Sequence, residues 1–239
     1  MIMKKNVVLL MSLLVMGLVV SSCQVSCKNG PRDLVDVKDL TIATDQSEFE
    51  RVVVEAACDV KFIQNDKSRV VMKSDGSEAR LMESVVKDGV LYVRYKNAKG
   101  SKLLRVRDVN VSVTIYSPDL IGLELRGAGQ VDIDGIDTDT LKLELRGAGD
   151  VRMKNIVCDR IDAMLKGAGS INIDSLTTEQ ASLALNGVGN VEVGFVNSGG
   201  VDCELKGVGN VKLRGNVRKW SSSVKGTGHV DTPELTVDK

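Results

Sequence analysis

The chain has 239 residues, with 32 basic and 32 acidic side chains, 23 glycines, three prolines, three Phe, three Tyr and one Trp. That length can bury a sizeable core. Balanced charge and scarce aromatics speak against a nucleic-acid partner, which wants a basic excess with stacking platforms, and the low proline content argues against a Pro-rich disordered chain.

The first segment reads as an address. Met1–Asn6 carries Lys4 and Lys5, Val7–Val20 is an apolar run, and Ser21-Ser22-Cys23 comes next. This is a charged n-region, a short h-region and small residues at a cleavage point. Val20-Ser21-Ser22-Cys23 resembles the bacterial lipobox, in which the cysteine receives acyl chains, palmitate among them, and becomes the new N-terminus. An ordinary secretory signal cleaved near Ser22 is the alternative. A bare transmembrane anchor fits less well, because the run is short for a span of about 20 residues. Residues 1–22 are therefore expected to be a lipoprotein leader, with Cys23 lipidated and the protein held at a bilayer surface. Cleavage removes two lysines, leaving 30 basic against 32 acidic residues.

Residues 23–38 read as a polar tether. Gln24 is not aspartate, so the residue that resembles an inner-membrane retention signal is missing. No acidic cluster of the kind that resembles some surface-export signals stands just after the cysteine. Outer-membrane attachment is the expectation, with the side it faces left open.

Residues 39–117 read as an irregular β region. Arg51–Glu55, Val60–Ile63, Arg69–Met72, Val90–Tyr95 and Val109–Tyr116 are strand-like, and Asn65-Asp66-Lys67-Ser68 is a turn. Glu78 to Val86 is expected to hold one or two helical turns. Pro118 marks the boundary with a repeating C-terminal segment. The irregular elements are either larger rungs of that same repeat structure or a cap on its end; because an exposed end invites edge pairing, continuous larger rungs are favoured.

From 118 to 239 the chain repeats. Leu-Arg-Gly-Ala-Gly stands at 125–129 and 145–149, Leu-Lys-Gly-Ala-Gly at 165–169, Leu-Asn-Gly-Val-Gly at 185–189, Leu-Lys-Gly-Val-Gly at 205–209 and Val-Lys-Gly-Thr-Gly at 224–228. A short fixed period of about twenty residues is the mark of a solenoid. Within one copy Leu141, Leu143, Leu145, Gly147, Gly149, Val151 and Met153 alternate with period two, so the rung is strand. The glycine pair falls on the inward parity and is expected to let the wall turn a corner where no inward side chain fits. Each rung then has a polar turn with one inward apolar residue: Ile136, Ile156, Leu176, Val196. Stacking at about 4.8 Å makes six rungs a wall roughly 30 Å long. The fold class is thus an all-β parallel β-helix.

Outward positions form ladders. One is basic, with Arg126, Arg146, Lys166, Lys206 and Lys225 interrupted by Asn186; the neighbouring slot holds Glu124, Glu144 and Glu204. The five cations are the candidate ligand surface, although solvated pairing with those glutamates is the competing reading. Outward carboxylates such as Asp132, Asp150 and Glu192 recur on nearly every rung, as a solvated ladder would. The single histidine, His229, lies on an outward slot of the last rung. No pair of cysteines has metal-ligand spacing, so no metal or other cofactor is expected. Cys203 takes an inward slot and Cys158 a turn. A Cys58–Cys158 or Cys27–Cys58 disulfide fits an oxidising compartment, with free thiols favoured.

Phe49-Glu50-Arg51-Val52, Cys58–Gln64, Asp88–Val93, Val111–Leu120 and then the Gly-Ala-Gly-x-Val repeats, in that order, resemble the putative auto-transporter adhesin, head GIN domain family across roughly residues 39–235. The resemblance implies a secreted or lipid-anchored protein, a right-handed parallel β-helix and no catalytic motif. Ala56-Ala57 departs from it where a glycine is common. Three functions compete. The first is a non-catalytic binding or adhesion module of the cell envelope, recognising a polysaccharide, a matrix component or a protein. The second is a structural or assembly component of the periplasm that self-associates through the solenoid ends. The least favoured is a polysaccharide-active enzyme, which would need paired carboxylates at a set separation.

Overall fold

In a computed structural model the described residues are 40–74, 78–96 and 111–237, all within one compact unit. The leader, Cys23, the tether and Cys27 lie outside them. Among the described residues fourteen strands form one sheet wound on itself as a β-solenoid of about six turns.

The repeats form β9 (Ala128–Leu145), β10 (Ala148–Leu165), β11 (Ala168–Leu185), β12 (Val188–Leu205), β13 (Val208–Val224) and β14 (Thr227–Val237), each parallel to the next. Registers such as Val131↔Val151 and Val151↔Ile171 hold the repeat in phase. Along β9 the buried residues are Val131, Ile133, Ile136, Thr138, Leu141, Leu143 and Leu145, besides the partly screened Glu144. Steps of two keep one face inward. The steps of three, at Ile133 to Ile136 and Thr138 to Leu141, switch parity and mark two corners; the Arg-Gly break before the next strand marks the third. Three walls result. Leu145, Leu165, Leu185 and Leu205 form one of the fully buried columns between them.

The glycines act along the stack and not toward the core. A Cβ on Gly147 would lie 1.9 Å from the carbonyl oxygen of Gly127, and one on Gly167 1.9 Å from that of Gly147. The chain turns its third corner at these glycines, as expected, but what excludes a side chain there is the rung below, too close for any Cβ, and not the core.

The first rung is hidden in the N-terminal region. β2 (Arg51–Val54) and β3 (Asp59–Gln64) lie beneath β8 (Gly122–Leu125) and the start of β9, through Arg51↔Gly122, Val54↔Leu125 and Val60↔Val131. The offset is 71 residues, as in the Glu55–Arg126 and Asp59–Gln130 contacts. Ala56 and Cys58 occupy the glycine slots, with Ala57 bridged to Ala128. The Ala56 N–H reaches Val93 O in the strand below, β6 (Val90–Tyr95). β7 (Val111–Ser117) lies under β3. Antiparallel strands then close this end: β4 (Arg69–Ser74) on β7, β1 (Leu40–Asp45) on β4, and β5 (Met82–Lys87) on β6. The region is thus both continuous rung and antiparallel cap. Of the helical turns expected over 78–86, one 3-10 turn at Glu78–Leu81 forms and Met82 onward is strand. The alternating Val85, Val86 and Lys87 pair with Tyr92, Leu91 and Val90, and this pairing overrides the local helical preference.

Two slots differ from the sequence reading. Phe195, not Val196, fills the column of Leu176, because Leu176 pairs with Phe195 across a bulge; Val196 is 43% exposed. Cys158 is not in an exposed turn but in an inward column with Thr138, Thr178, Ser198 and Val217, all buried. Thr178 and Ser198 are bonded internally, whereas Thr138 Oγ1 has no partner. The Thr178 hydroxyl lies 3.1 Å from the carbonyls of Asp159 and Gln180, and the Ser198 hydroxyl donates to Leu176 O at 2.9 Å. Cys58, Cys158 and Cys203 are free thiols, so the Cys58–Cys158 bridge does not form. Trp220 ends the column of Leu141, Ile161, Ala181 and Val201 and packs on the core.

Candidate functional site

The wall formed by residues 140–146 and their equivalents carries the basic ladder. Strand alternation sends Leu141, Leu143 and Leu145 inward and Lys142, Glu144 and Arg146 outward. Parallel register then places like slots in columns: Glu55, Arg126, Arg146, Lys166, Asn186, Lys206 and Lys225 in one, and Tyr92, Val53, Glu124, Glu144, Met164, Ala184, Glu204 and Ser223 in the next.

All five predicted cations are brought to this wall, and all are ion-paired. Arg126 meets Glu55 at 3.0 Å and Glu124 at 2.8 Å; Arg146 meets Glu124 at 2.9 Å and Glu144 at 3.1 Å; Lys166 meets Glu144 at 2.7 Å. Acid and base thus alternate upward as a staircase that staples successive rungs. Asn186, Ala184 and Met164 interrupt it, and it resumes with Lys206 and Lys225 on Glu204 at 2.7 and 3.6 Å. Burial pushes the Glu144 carboxyl up, but hydrogen bonds from Lys166 and Arg146 outweigh it and hold the group below its ordinary range. The Lys206 hydrogen bond lowers Glu204 in the same way.

The wall is concave. Three depressions run end to end along it. The first, about 600 Å³, lies over Arg51, Tyr92, Gly122, Lys142 and Arg160. The second shares Lys142, Glu144 and Asp162 with the first, and the third shares Met164, Lys166, Ser182 and Ala184 with the second. Together they make one groove along the stack axis. Sequence reasoning missed Arg51 and Tyr92, because the 71-residue offset conceals that they face the repeats. Lys142 was in plain view as the basic member of the slot otherwise held by Gly122, Asp162, Ser182, Asp202 and Ser221.

The outward carboxylates are engaged singly. Gln130 donates to Asp132 at 2.6 Å, Ser170 to Asp150, and Glu192 holds Arg214 and Lys212. Asp132 and Glu192 share a column three rungs apart, about 14 Å, which is beyond the separation of glycosidase pairs. Among the described residues no three His, Cys, Asp or Glu side chains come together as a metal ion would need. Nor, among them, is any helix long and apolar enough to cross a membrane. His229 is exposed on β14.

A family profile matches residues 48–193 and again 164–239. The chain belongs to the putative auto-transporter adhesin, head GIN domain family. Solved structures share the fold of this family member. One, of a putative adhesin from Bacteroides fragilis, is 24% identical, with a TM-score of 0.66 over 82% of this chain and 97% of its own. Another, of a putative adhesin from Parabacteroides merdae, is 16% identical, with a TM-score of 0.58 over 85% and 98%. Among curated proteins no sequence matches.

Proposed function

We propose that the protein is a non-catalytic binding or adhesion module of the bacterial cell envelope. Its leader is removed before Cys23, acyl chains on Cys23 hold it to the outer membrane, and the grooved wall with Arg126, Arg146, Lys166, Lys206 and Lys225 meets an extended ligand, a polysaccharide or a protein. The observation that carries this reading is the groove itself. It runs along the stack, so that equivalent groups recur every rung at about 4.8 Å and a polymer lying along it meets a series of related contacts. The family's description and the names of the similar structures support adhesion. The ion pairing of the ladder refines it: the cations act as hydrogen-bond donors in paired geometry and not as a bare positive stripe.

Protease shaving of intact cells, together with a polymer-binding screen on the purified protein, tests the reading. Loss of the protein from unbroken cells, with binding that strengthens as the polymer lengthens and weakens in an Arg126→Ala/Arg146→Ala/Lys166→Ala variant, is the expected result. Full protection until lysis refutes adhesion outside the cell. Unchanged binding by the triple variant removes the ladder from the contact surface.

A second reading, assembly through the solenoid end, draws on β14, whose single strand neighbour among the described residues is β13, and on Val224, 48% exposed beyond the cover of β14. Pro233 sits on that edge beside a register shift, features that hinder further pairing. Sedimentation over a hundredfold range of concentration decides it: a constant monomer mass ends the assembly reading.

A further inference from the structure

The cations with unmet bonding capacity lie off the ladder. Arg51 and Lys142 are exposed, and their side chains make no hydrogen bond or ion pair among the described residues, whereas every ladder cation is paired. They share one column, Arg51↔Gly122↔Lys142, two rungs and so about 10 Å apart. Asp162, the next member above Lys142, is already held by Arg160 at 3.1 Å.

Gly122 between them is not a stacking glycine. A Cβ there would meet no backbone, only the Arg51 side chain, with Cγ nearest at 3.2 Å; at Gly127, five residues on, a Cβ would meet the carbonyl oxygen of Ala56 at 2.0 Å. Stacking therefore does not demand glycine at 122; without a side chain there, the Arg51 stem lies against it, in a column whose other members are Lys142, Asp162, Ser182, Asp202 and Ser221. This stretch borders the depression of about 600 Å³, within the range of small-ligand sites.

We propose that the Arg51–Gly122–Lys142 notch is a subsite for a carboxylate-bearing sugar unit of a polysaccharide; this rests on the reading of the protein as a binding module and names the ligand class of its groove. The carboxylate sits at the level of Gly122, between the Arg51 and Lys142 head groups. There the planar Arg51 guanidinium offers a bidentate contact and Lys142 a point charge. Val53 and Tyr92, with Glu124 and Glu144 above them in the same column and already engaged by ladder cations, line one side of the cavity, and Thr140 with Arg160 lines the other. One wall thus offers an aromatic and apolar stretch below its paired carboxylates, and the other offers hydroxyl and guanidinium donors, which suits a pyranose with an apolar face and a hydroxyl rim. An acidic peptide fits less well. At the notch β2, β8 and the 142–145 part of β9 are each paired on both sides, so no free backbone edge is offered there for strand addition.

The test uses the full chain purified in detergent and calorimetric titration with hexagalacturonate, with maltohexaose as an uncharged glycan and hexaglutamate as an acidic peptide. The wild type should bind hexagalacturonate at least tenfold more tightly than either comparison ligand. Arg51→Gln/Lys142→Gln should weaken it at least tenfold. Gly122→Asp, which puts an internal carboxylate between the two cations without a backbone clash, should do the same while leaving Tm unchanged or higher. Arg152→Gln, on another wall, should bind as the wild type does. Equal binding by the wild type and Gly122→Asp overturns the notch, even if whole-cell adhesion and shaving still support a binding module. Absence of hexagalacturonate binding overturns the carboxylate-sugar assignment, and equal affinity for hexaglutamate overturns the glycan class.

Discussion

Replacing Gly167 with alanine tests whether the rungs are held at a distance that excludes a Cβ. The new methyl would stand 1.9 Å from Gly147 O and 2.6 Å from the carbonyl carbon and oxygen of Arg146, all of them backbone atoms. Relief to the roughly 3.0 Å below which such contacts are essentially never seen needs an opening of about 1.1 Å. No side chain can move aside to supply it. The hydrogen bonds spanning this gap, Gly167 N–H to Leu145 O at 2.9 Å and Ala168 N–H to Gly147 O at 3.0 Å, would stretch beyond useful length. Losing both at about 1 kcal/mol each, together with overpacking strain of about 1–3 kcal/mol, predicts a destabilisation of about 3–5 kcal/mol. Gly135→Ala is the control, since its Cβ would meet only Asn155 O at an ordinary 3.6 Å. It should be neutral or stabilise by up to about 1 kcal/mol through the unfolded chain. Urea unfolding monitored by circular dichroism measures both. A Gly167→Ala midpoint equivalent to less than about 1 kcal/mol of destabilisation, at unchanged m value, would refute the close-approach argument.

The interior and the staircase supply three further tests. Burial pushes Cys58 up to about 12 and Cys203 to about 11, and raises Cys158; in a Cys23→Ser/Cys27→Ser chain at pH 8, a thiol-disulfide dye should label none of the three until denaturant is added, and immediate labelling would contradict the buried columns. Thr138 Oγ1 is buried without a partner, so Thr138→Val should stabilise by about 0.5–1 kcal/mol, whereas Thr178→Val, which discards hydroxyl contacts at 3.1 Å to Asp159 O and Gln180 O, should cost about 1–2 kcal/mol; thermal melts of the pair check the difference in sign. Glu144 has a folded pKa below its ordinary value near 4.5, so its contribution is present above that pH and is lost as pH falls through the lowered folded value; Glu144→Gln should cost about 1 kcal/mol at neutral pH and progressively less on acidification, and a cost that stays constant down to pH 2 would show that the ion pairs contribute nothing.

The repeat was legible because its chemistry is periodic. Leu145, Val151 and Met153 recur as Leu165, Ile171 and Ile173, and no helix accommodates that alternation. The basic ladder was visible for the same reason, and so was its pairing with Glu124 and Glu144, two residues away on the same strand. What escaped detection is polar, displaced or axial. Thr138, Cys158, Thr178 and Ser198 form an inward column that a hydrophobicity pattern skips, since hydroxyls such as those of Thr178 and Ser198 are satisfied only by carbonyls the fold brings near. Phe195 replaced Val196 because the bulge before it shortens one corner by a residue. The rung of Val52, Val54, Val60 and Phe62 was expected among larger rungs continuous with the repeat, but its register on Leu123 and Val131 was not legible because 71 residues, not twenty, part it from its neighbour. Arg51 was lost with it. The glycines were recognised but given the wrong direction: sequence parity distinguishes in from out and carries nothing about the axis along which rungs meet.

This axis also separates the two kinds of charge on the groove wall. A staircase cation such as Arg146 touches glutamates on its own rung and the rung below, so its charge is spent on holding neighbours in register, and exposed pairs of this kind stabilise only modestly. For a ligand to recruit its charge, a carboxylate of the ligand would have to displace Glu124 or Glu144, an exchange of one ion pair for another with little net gain, so the ladder contributes hydrogen-bond donors and not charge. Arg51 and Lys142 give up no such partner. A ligand anion between them displaces water and breaks no ion pair. Five ladder cations outnumber the two in the notch, but recognition depends on unmet bonding capacity. On that ground the groove is best viewed as a track whose staircase keeps the rungs aligned and whose end, over Gly122, selects what lies along it.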